Sequence, residues 1–261
     1  MVSIAGATPG LWAVDGGNKQ VPEKLLQKSK AHLIRKQVTS IEAVPDGTYK
    51  VSSSSCRDFS IQHEGSGNAK YKQCDMNATD IIYDSVIIAT PLTKDKANIT
   101  FKGMDIPAFP GHFERLVTTM LQGKLNHSAI GNDGDPIGEV LTTLHGNKIF
   151  QCIGQNFPVE SKSQPSERQV WKVFSGKPFE QVNHYFTDIS ELQTYEWLAY
   201  PHYNVQQHLG EFELRPGLYH VNAIESLASA MEMSLIGAKN VALLIQDQLA
   251  KPISISRKTE L

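Results

Sequence analysis

Cysteine is scarce, with three residues in 261 and no CxxC spacing, so a disulfide scaffold, a structural zinc site and a thioredoxin-like dithiol are all excluded. An excess of one charge is missing too: 25 basic side chains against 27 acidic ones leave a net charge of -2. That balance gives no general pull toward phosphate backbones or anionic lipid, and nucleic acid is not an expected partner. No apolar run approaches the roughly 18 residues that would cross a bilayer. The longest candidate, 227–249, is interrupted by Glu232, Ser234, Lys239, Asn240, Gln246 and Asp247, and reads as a buried helix without a transmembrane role. The stretch 1–11 has neither a basic start nor a long apolar centre, so no secretory signal is expected within the chain.

The common catalytic signatures are also lacking. Nine histidines include no HExxH pair, no serine sits in GxSxG, and neither GxGxxG nor GxxxxGK[ST] occurs. Zinc hydrolysis and serine hydrolase chemistry therefore have no support, and no metal is expected. The composition, 40% hydrophobic and 20% charged, is that of a globular protein and excludes disorder, collagen and coiled coil.

What is present reads as an α/β chain. Turn formers over 9–18 lead into Pro22-Glu23-Lys24-Leu25-Leu26, a glycine-rich loop feeding a helix. Ile34, Val38, Ile41 and Val44 alternate with polar residues, and Pro45-Asp46-Gly47 turns the chain into Tyr49-Lys50-Val51, which predicts a hairpin. The polar stretch 52–80 predicts an exposed loop or a ragged extension of that hairpin. Four apolar β-formers in Val86-Ile87-Ile88-Ala89, ended by Thr90-Pro91, read as a parallel strand buried on both faces. Short strands at 116–121, 138–144, 149–153 and 170–174 predict a mainly β lobe, after which a strand at 218–223 and a helix from about 227 to 249 return the chain to the first lobe.

Two features suit a ligand. The last helix carries small residues at Ala228, Ala230, Ser234, Gly237 and Ala238, which admit either another backbone or a flat ligand. Tyr195, Trp197, Tyr200, His202 and Tyr203 surround Pro201 and would wall an apolar pocket or fill a lobe-interface core. Cys56 and Cys74 either bridge across the hairpin or stay as two thiols, and Cys152 reads as a buried spectator. Sequons start at Asn77, Asn98 and Asn126, marking glycosylation sites if the chain passes through a luminal compartment. The last four residues, Lys258-Thr259-Glu260-Leu261, resemble a luminal retrieval signal or are an ordinary polar tail.

The strings 5–19 (AGATPGLWAVDGGNK), 87–92 (IIATPL), 197–203 (WLAYPHY) and 229–234 (SAMEMS) resemble the prenylcysteine oxidase family, with its oxidase-like branch the nearest match. The resemblance covers essentially the whole chain. It implies a flavin amine oxidase-like fold in which an incomplete, Rossmann-like FAD-binding lobe is split by a mainly β substrate lobe. On that reading 1–91 is the remainder of the FAD lobe with a hairpin insertion, 92–207 the substrate lobe, 208–250 the return to the FAD lobe and 251–261 a tail. The resemblance places Ile41 on the strand near the adenine, and Ala89, Thr90, Pro91, Glu225, Ala230 and Met231 against FAD. Trp197, Tyr200 and His202 become pocket walls for a prenylcysteine substrate.

The implied chemistry is oxidation of a prenylated cysteine thioether. Hydride leaves the allylic carbon beside sulfur for the flavin, water adds, and the hemithioacetal collapses to cysteine and a prenyl aldehyde, while oxygen is reduced to hydrogen peroxide. The implied setting is the lysosome or the secretory route. Members of the family carry a signal peptide and a βαβ unit with a glycine-rich diphosphate turn ahead of the segment matched by residue 1. The chain is therefore expected to be N-terminally truncated and to bind FAD weakly or not at all. The alternative functions are an inactive fragment and a prenyl-binding or lipid-binding module.

Overall fold

A computed structural model describes residues 14–63, 66–74, 79–131, 140–142, 149–156, 169–203 and 210–250, with side chains for all of these except 56–74 and 140–142. It is a mixed α/β structure that divides into two compact units, one drawn from Met1–Ala31 and Glu114–Tyr200, the other from His32–Phe113 and Pro201–Leu261.

The first unit contains helix α1 (Gln20–Ser29), opened as expected by a glycine turn in which Gly16 and Gly17 hold φ of 75° and 100°. Its sheet has five strands in the order β12-β8-β11-β10-β9. These are β8 (Phe113–Leu125), β9 (Val140–Thr142), β10 (Cys152–Asn156), β11 (Gln169–Ser175) and β12 (Phe186–Pro201). The four short strands expected from the sequence are β8 to β11, and the pairs among them are antiparallel. Period-two alternation explains the core, because Trp171, Val173 and Ser175 of β11 point inward. Trp171 and Val173 share a core with Leu121 and Leu125 of β8, Ile153 of β10 and Phe186. The short helix α2 (Val182–Tyr185) adds Tyr185, whose ring stands edge-on to Phe150 at 5.3 Å.

In the second unit, β1 (Gln37–Ala43) and β2 (Tyr49–Ser54) form the expected hairpin, with Gly47 at φ 90° and the Asp46 carboxylate accepting from the Thr48 N–H at 2.9 Å. β5 (Thr79–Tyr83) extends it on one side, and β7 (Thr100–Lys102) runs parallel to β1 on the other. The polar stretch 52–80 contains a ribbon of β3 (Cys56–His63) and β4 (Ser66–Cys74), the hairpin-extension outcome. Their backbone register sets Cys56 opposite Cys74. The side chains of both cysteines, and all of Asn77, lie outside the described residues.

A third sheet carries β13 (Glu213–Arg215), β14 (Leu218–His220) and β6 (Val86–Ile88) in the order β13-β14-β6, with β14 and β6 parallel. The parallel pairing agrees with the sequence expectation, but burial on both faces does not: Ile88 is 4% exposed and Ile87 is 51% exposed. β6 is an end strand of only three residues, so just one of its faces reaches the Ile41, Tyr49, Leu214 and Leu218 core.

The end of the chain also departs from expectation. The strand stops at His220, a 3-10 turn takes Val221–Ser226, and the helix α3 (Met231–Ala250) opens four residues later than 227. The Ser226 hydroxyl bonds the Ala223 carbonyl, holding the tight turn and delaying the helix. α3 is not fully buried either, since only Gly237 and Val241 are covered while Leu235, Ile236 and Leu243 stay about half exposed. No helix among the described residues is long and apolar enough to cross a membrane.

Gly237 shows what its small size permits. A Cβ there would sit 3.0 Å from both the Val221 carbonyl and the Ile224 side chain, so α3 lies directly on the 3-10 turn. Gly237→Val should therefore lower stability by about 2–3 kcal/mol, read as a reduced denaturation midpoint with an unchanged slope; a variant as stable as the parent would show that this approach is not fixed.

Candidate functional site

The parallel pair β6–β14 brings two carboxyl-terminal strand ends side by side, the position at which open α/β sheets hold ligands. Beyond β6 come Ala89, which is exposed, and Thr90 and Pro91, which are half-buried. Beyond β14 come the 3-10 turn with Glu225, then Ala230, and Met231 at the start of α3. All six residues implied as cofactor contacts thus belong to one unit, on the two chain segments that leave these strands. A groove of about 460 Å³ adjoins β6 in the same unit, walled by Val38, Ile41 and Val51 of the hairpin and by Val86, Ile88 and Thr90.

The centre of this region is a residue the sequence reasoning passed over. His220 ends β14, is 4% exposed, and sets its Nε2 3.3 Å from the Thr90 carbonyl. A carbonyl only accepts, so Nε2 carries the proton and Nδ1 keeps a bare lone pair. That Nδ1 is buried without a partner, and so is the Oδ1 of Asn222 two residues on. The Phe109 ring stands edge-on to the imidazole at 5.2 Å, and the His220 main-chain N–H donates to the Phe212 carbonyl at 2.9 Å. Burial lowers the His220 pKa from 6.5 to about 4, against a smaller opposing effect of the Thr90 carbonyl. The ring is therefore neutral at physiological pH. The sequence held one signal for it, a polar pair, His220 and Asn222, set immediately after the apolar Leu218-Tyr219.

The aromatic residues implied as pocket walls fall in different units. Trp197 and Tyr200 lie on β12, 49% and 40% exposed, with Trp197 Nε1 donating to the Thr118 hydroxyl at 3.0 Å. His202 belongs to the second unit, where it stacks on His112 with ring centroids 4.8 Å apart. Cys152 is a half-buried thiol, its pKa raised by that burial. Asn98 is exposed on the groove rim, and Asn126 Nδ2 donates to the His184 carbonyl at 3.0 Å.

The two unmatched acceptors test which ligand fits. Nδ1 and Oδ1 both need donors, and the hydroxyl-bearing ribityl chain of a flavin supplies donors. The GxGxxG turn that lays a diphosphate on a helix N-terminus does not occur in the sequence. The two acceptors suit the hydroxyl-bearing flavin end of FAD.

The architecture is mixed α/β, with one parallel pair whose carboxyl ends lie together. A sequence profile described as prenylcysteine lyase matches residues 1–256. The chain is 36% identical over 254 residues to prenylcysteine oxidase 1 of Bos taurus, covering 93% of this chain and 48% of the bovine one. It is 35% identical over 257 residues to the Homo sapiens protein of that name, with the same coverage. It is also 35% identical over 262 residues to prenylcysteine oxidase 1-like of Mus musculus, covering 93% and 49%. The chain belongs to the prenylcysteine lyase family. It spans about half the length of these relatives.

His220 makes stability depend on pH with a definite sign. Its folded pKa of about 4 lies below the 6.5 of the free side chain, so the unfolded chain binds the proton first as pH falls. The contribution is complete above 6.5 and is lost between 6.5 and about 4, amounting to about 3 kcal/mol. Urea denaturation at pH 7.5 and 4.5 should show this loss in the parent and most of it removed in His220→Gln; an equal pH response in both would assign the effect elsewhere.

Proposed function

We propose that this chain carries the flavin-ring side of an FAD-dependent oxidase acting on prenylated cysteine thioethers. The observation that carries the reading is the pair of buried unmatched acceptors, His220 Nδ1 and Asn222 Oδ1, at the joined carboxyl ends of β6 and β14. Family membership and the names of the relatives supply the substrate class. The fold on this reading is flavin amine oxidase-like: a Rossmann-like FAD lobe carried by 1–91 and 208–250 and interrupted by a substrate lobe over 92–207.

FAD bound here would supply the two-electron acceptor for the thioether. His220 and Asn222 would accept from its hydroxyls, and Ala89, Thr90, Pro91, Glu225, Ala230 and Met231 would flank it. Val38, Ile41 and Val51 give the neighbouring groove apolar walls, and such walls would favour an oxidation whose cationic carbon must meet water only after it forms. His202, in the unit that carries the cofactor residues, would bound the prenyl chain; Trp197 and Tyr200 remain candidate prenyl contacts carried by the other unit. The products are cysteine, a prenyl aldehyde and hydrogen peroxide.

Titration of the 261-residue chain with FAD, read by flavin fluorescence, should give saturable but weak binding, with Kd on the order of 10 µM or higher, because the diphosphate has no cradle. Asn222→Leu should weaken it about tenfold. Absence of saturation in the parent would refute the cofactor reading, and stoichiometric flavin on the purified chain would refute its weakness.

The reading also places the protein in a luminal setting, lysosomal or secreted, where its sequons are used. Asn98 is exposed, while the Asn126 amide is already engaged by the His184 carbonyl. Expression through a secretory route should give a glycosidase-sensitive mass shift that Asn98→Gln reduces and Asn126→Gln leaves largely unchanged.

A further inference from the structure

We propose that His220 is the positioning residue of this site, a neutral imidazole whose Nε2–H holds the Thr90 carbonyl and so sets the Ala89-Thr90-Pro91 turn across the ends of β6 and β14. The identity of the ligand rests on the cofactor reading above; the latch itself does not.

Three contacts fix the imidazole. The main-chain N–H of His220 donates to Phe212, the Phe109 ring meets the imidazole edge-on, and Nε2 reaches Thr90 at 3.3 Å. The first holds the backbone at position 220, the second packs against the ring, and the third acts on the turn. β6 offers that turn little other restraint: it is three residues long, lies at the end of its sheet, and is followed by exposed Ala89. A contact between the two strand ends is therefore the means by which the outgoing segment keeps one conformation.

A packing role alone does not account for the residue. Position 220 continues the buried row of Leu218 and Tyr219, where an apolar side chain would fill the space without desolvating two nitrogens. His220 bears that desolvation and leaves Nδ1 unmatched. Burial and the Thr90 carbonyl are what act on its titration, with no carboxylate or cation contributing, so the ring stays an uncharged donor. An uncharged, oriented donor aimed at one carbonyl is what positioning a binding turn requires.

Two substitutions separate the roles. His220→Phe keeps a ring against Phe109 and removes the donor; His220→Gln keeps an N–H at the reach of Nε2 and removes the ring. Amide hydrogen exchange at Ala89, Thr90 and Leu92 reads the turn without any ligand, and FAD titration reads the site. The expected result is about tenfold faster exchange and about tenfold weaker FAD binding in the Phe variant, with a melting temperature no lower than the parent's, and recovery of both in the Gln variant. Parent-like exchange in the Phe variant, or recovery by Phe and not by Gln, would overturn the proposal. Nitrogen NMR of the unsubstituted chain is a check that needs no variant to fold: protonation at Nε2 supports the latch, and protonation at Nδ1 overturns it. Should exchange respond as expected while FAD fails to bind the parent, the latch stands and the cofactor reading falls.

Discussion

The parallel pairing of β6 with β14 is the constraint on which the site depends. Only three residue pairs make it, Leu218 with Val86, Tyr219 with Ile87 and His220 with Ile88. Those pairs join segments 132 positions apart in sequence, and they decide that the turn after β6 and the turn after β14 leave the sheet together. Every residue proposed to meet a cofactor lies on one of those two exits. A parallel pair this short is weak alone. Its support comes from below, where Ile88 and Leu218 enter the core with Ile41, Tyr49 and Leu214, and from Tyr49, whose hydroxyl donates to the Pro216 carbonyl at 2.7 Å.

The helix that follows is positioned by contact with a turn more than by an apolar stripe. Val221–Ser226 winds as a 3-10 turn, Gly237 lets that turn approach α3, and the Tyr219 hydroxyl donates to Gln248 further along the helix. The small-residue pattern seen in the sequence is explained at Gly237 by a backbone carbonyl, the tight-packing alternative. This places the start of α3 near the exits of the strands while leaving much of its apolar surface uncovered.

Much of this was legible in residue order because local chemistry determined it. Pro45-Asp46-Gly47 contains its own turn, and the alternation in 170–174 already separates the inward Trp171 and Val173 from the outward Lys172. The run at 86–88 predicted a parallel strand, and the strand at 218 was expected to return to the same lobe; that the two pair is seen only in the structure. What was not legible depended on neighbours. Ile87 reads as core by composition and is half exposed because its side chain points to the face opposite the core that takes Val86 and Ile88. β12 carries no clean alternation, since most of its 16 residues are exposed, so its aromatic residues suggested a pocket and gave no sign of a long edge strand. His220 was invisible as a site residue for a related reason: one histidine after an apolar pair has no motif, and its meaning comes from a carbonyl 130 residues away.

A short parallel junction, a desolvated histidine and two unmatched acceptors would each count against stability if the region served only to fold. The neutral ring costs stability in acid, Nδ1 and Oδ1 forgo hydrogen bonds that water would give them, and β6 exposes apolar surface at Ile87. On the cofactor reading proposed above, their occurrence at one pair of strand ends has a common explanation in ligand binding. A donor-bearing ligand satisfies the acceptors only in the folded state, so binding and folding are linked, and the region gains by mass action what it lacks in intrinsic stability. The five-stranded sheet of the other unit shows the contrasting case: its core of Trp171, Val173, Leu121, Ile153 and Phe186 is apolar, and the indole N–H of Trp171 is matched by the Gly123 carbonyl. The buried unmatched His220 Nδ1 and Asn222 Oδ1 at the β6–β14 ends are the physical argument for proposing the chemistry there.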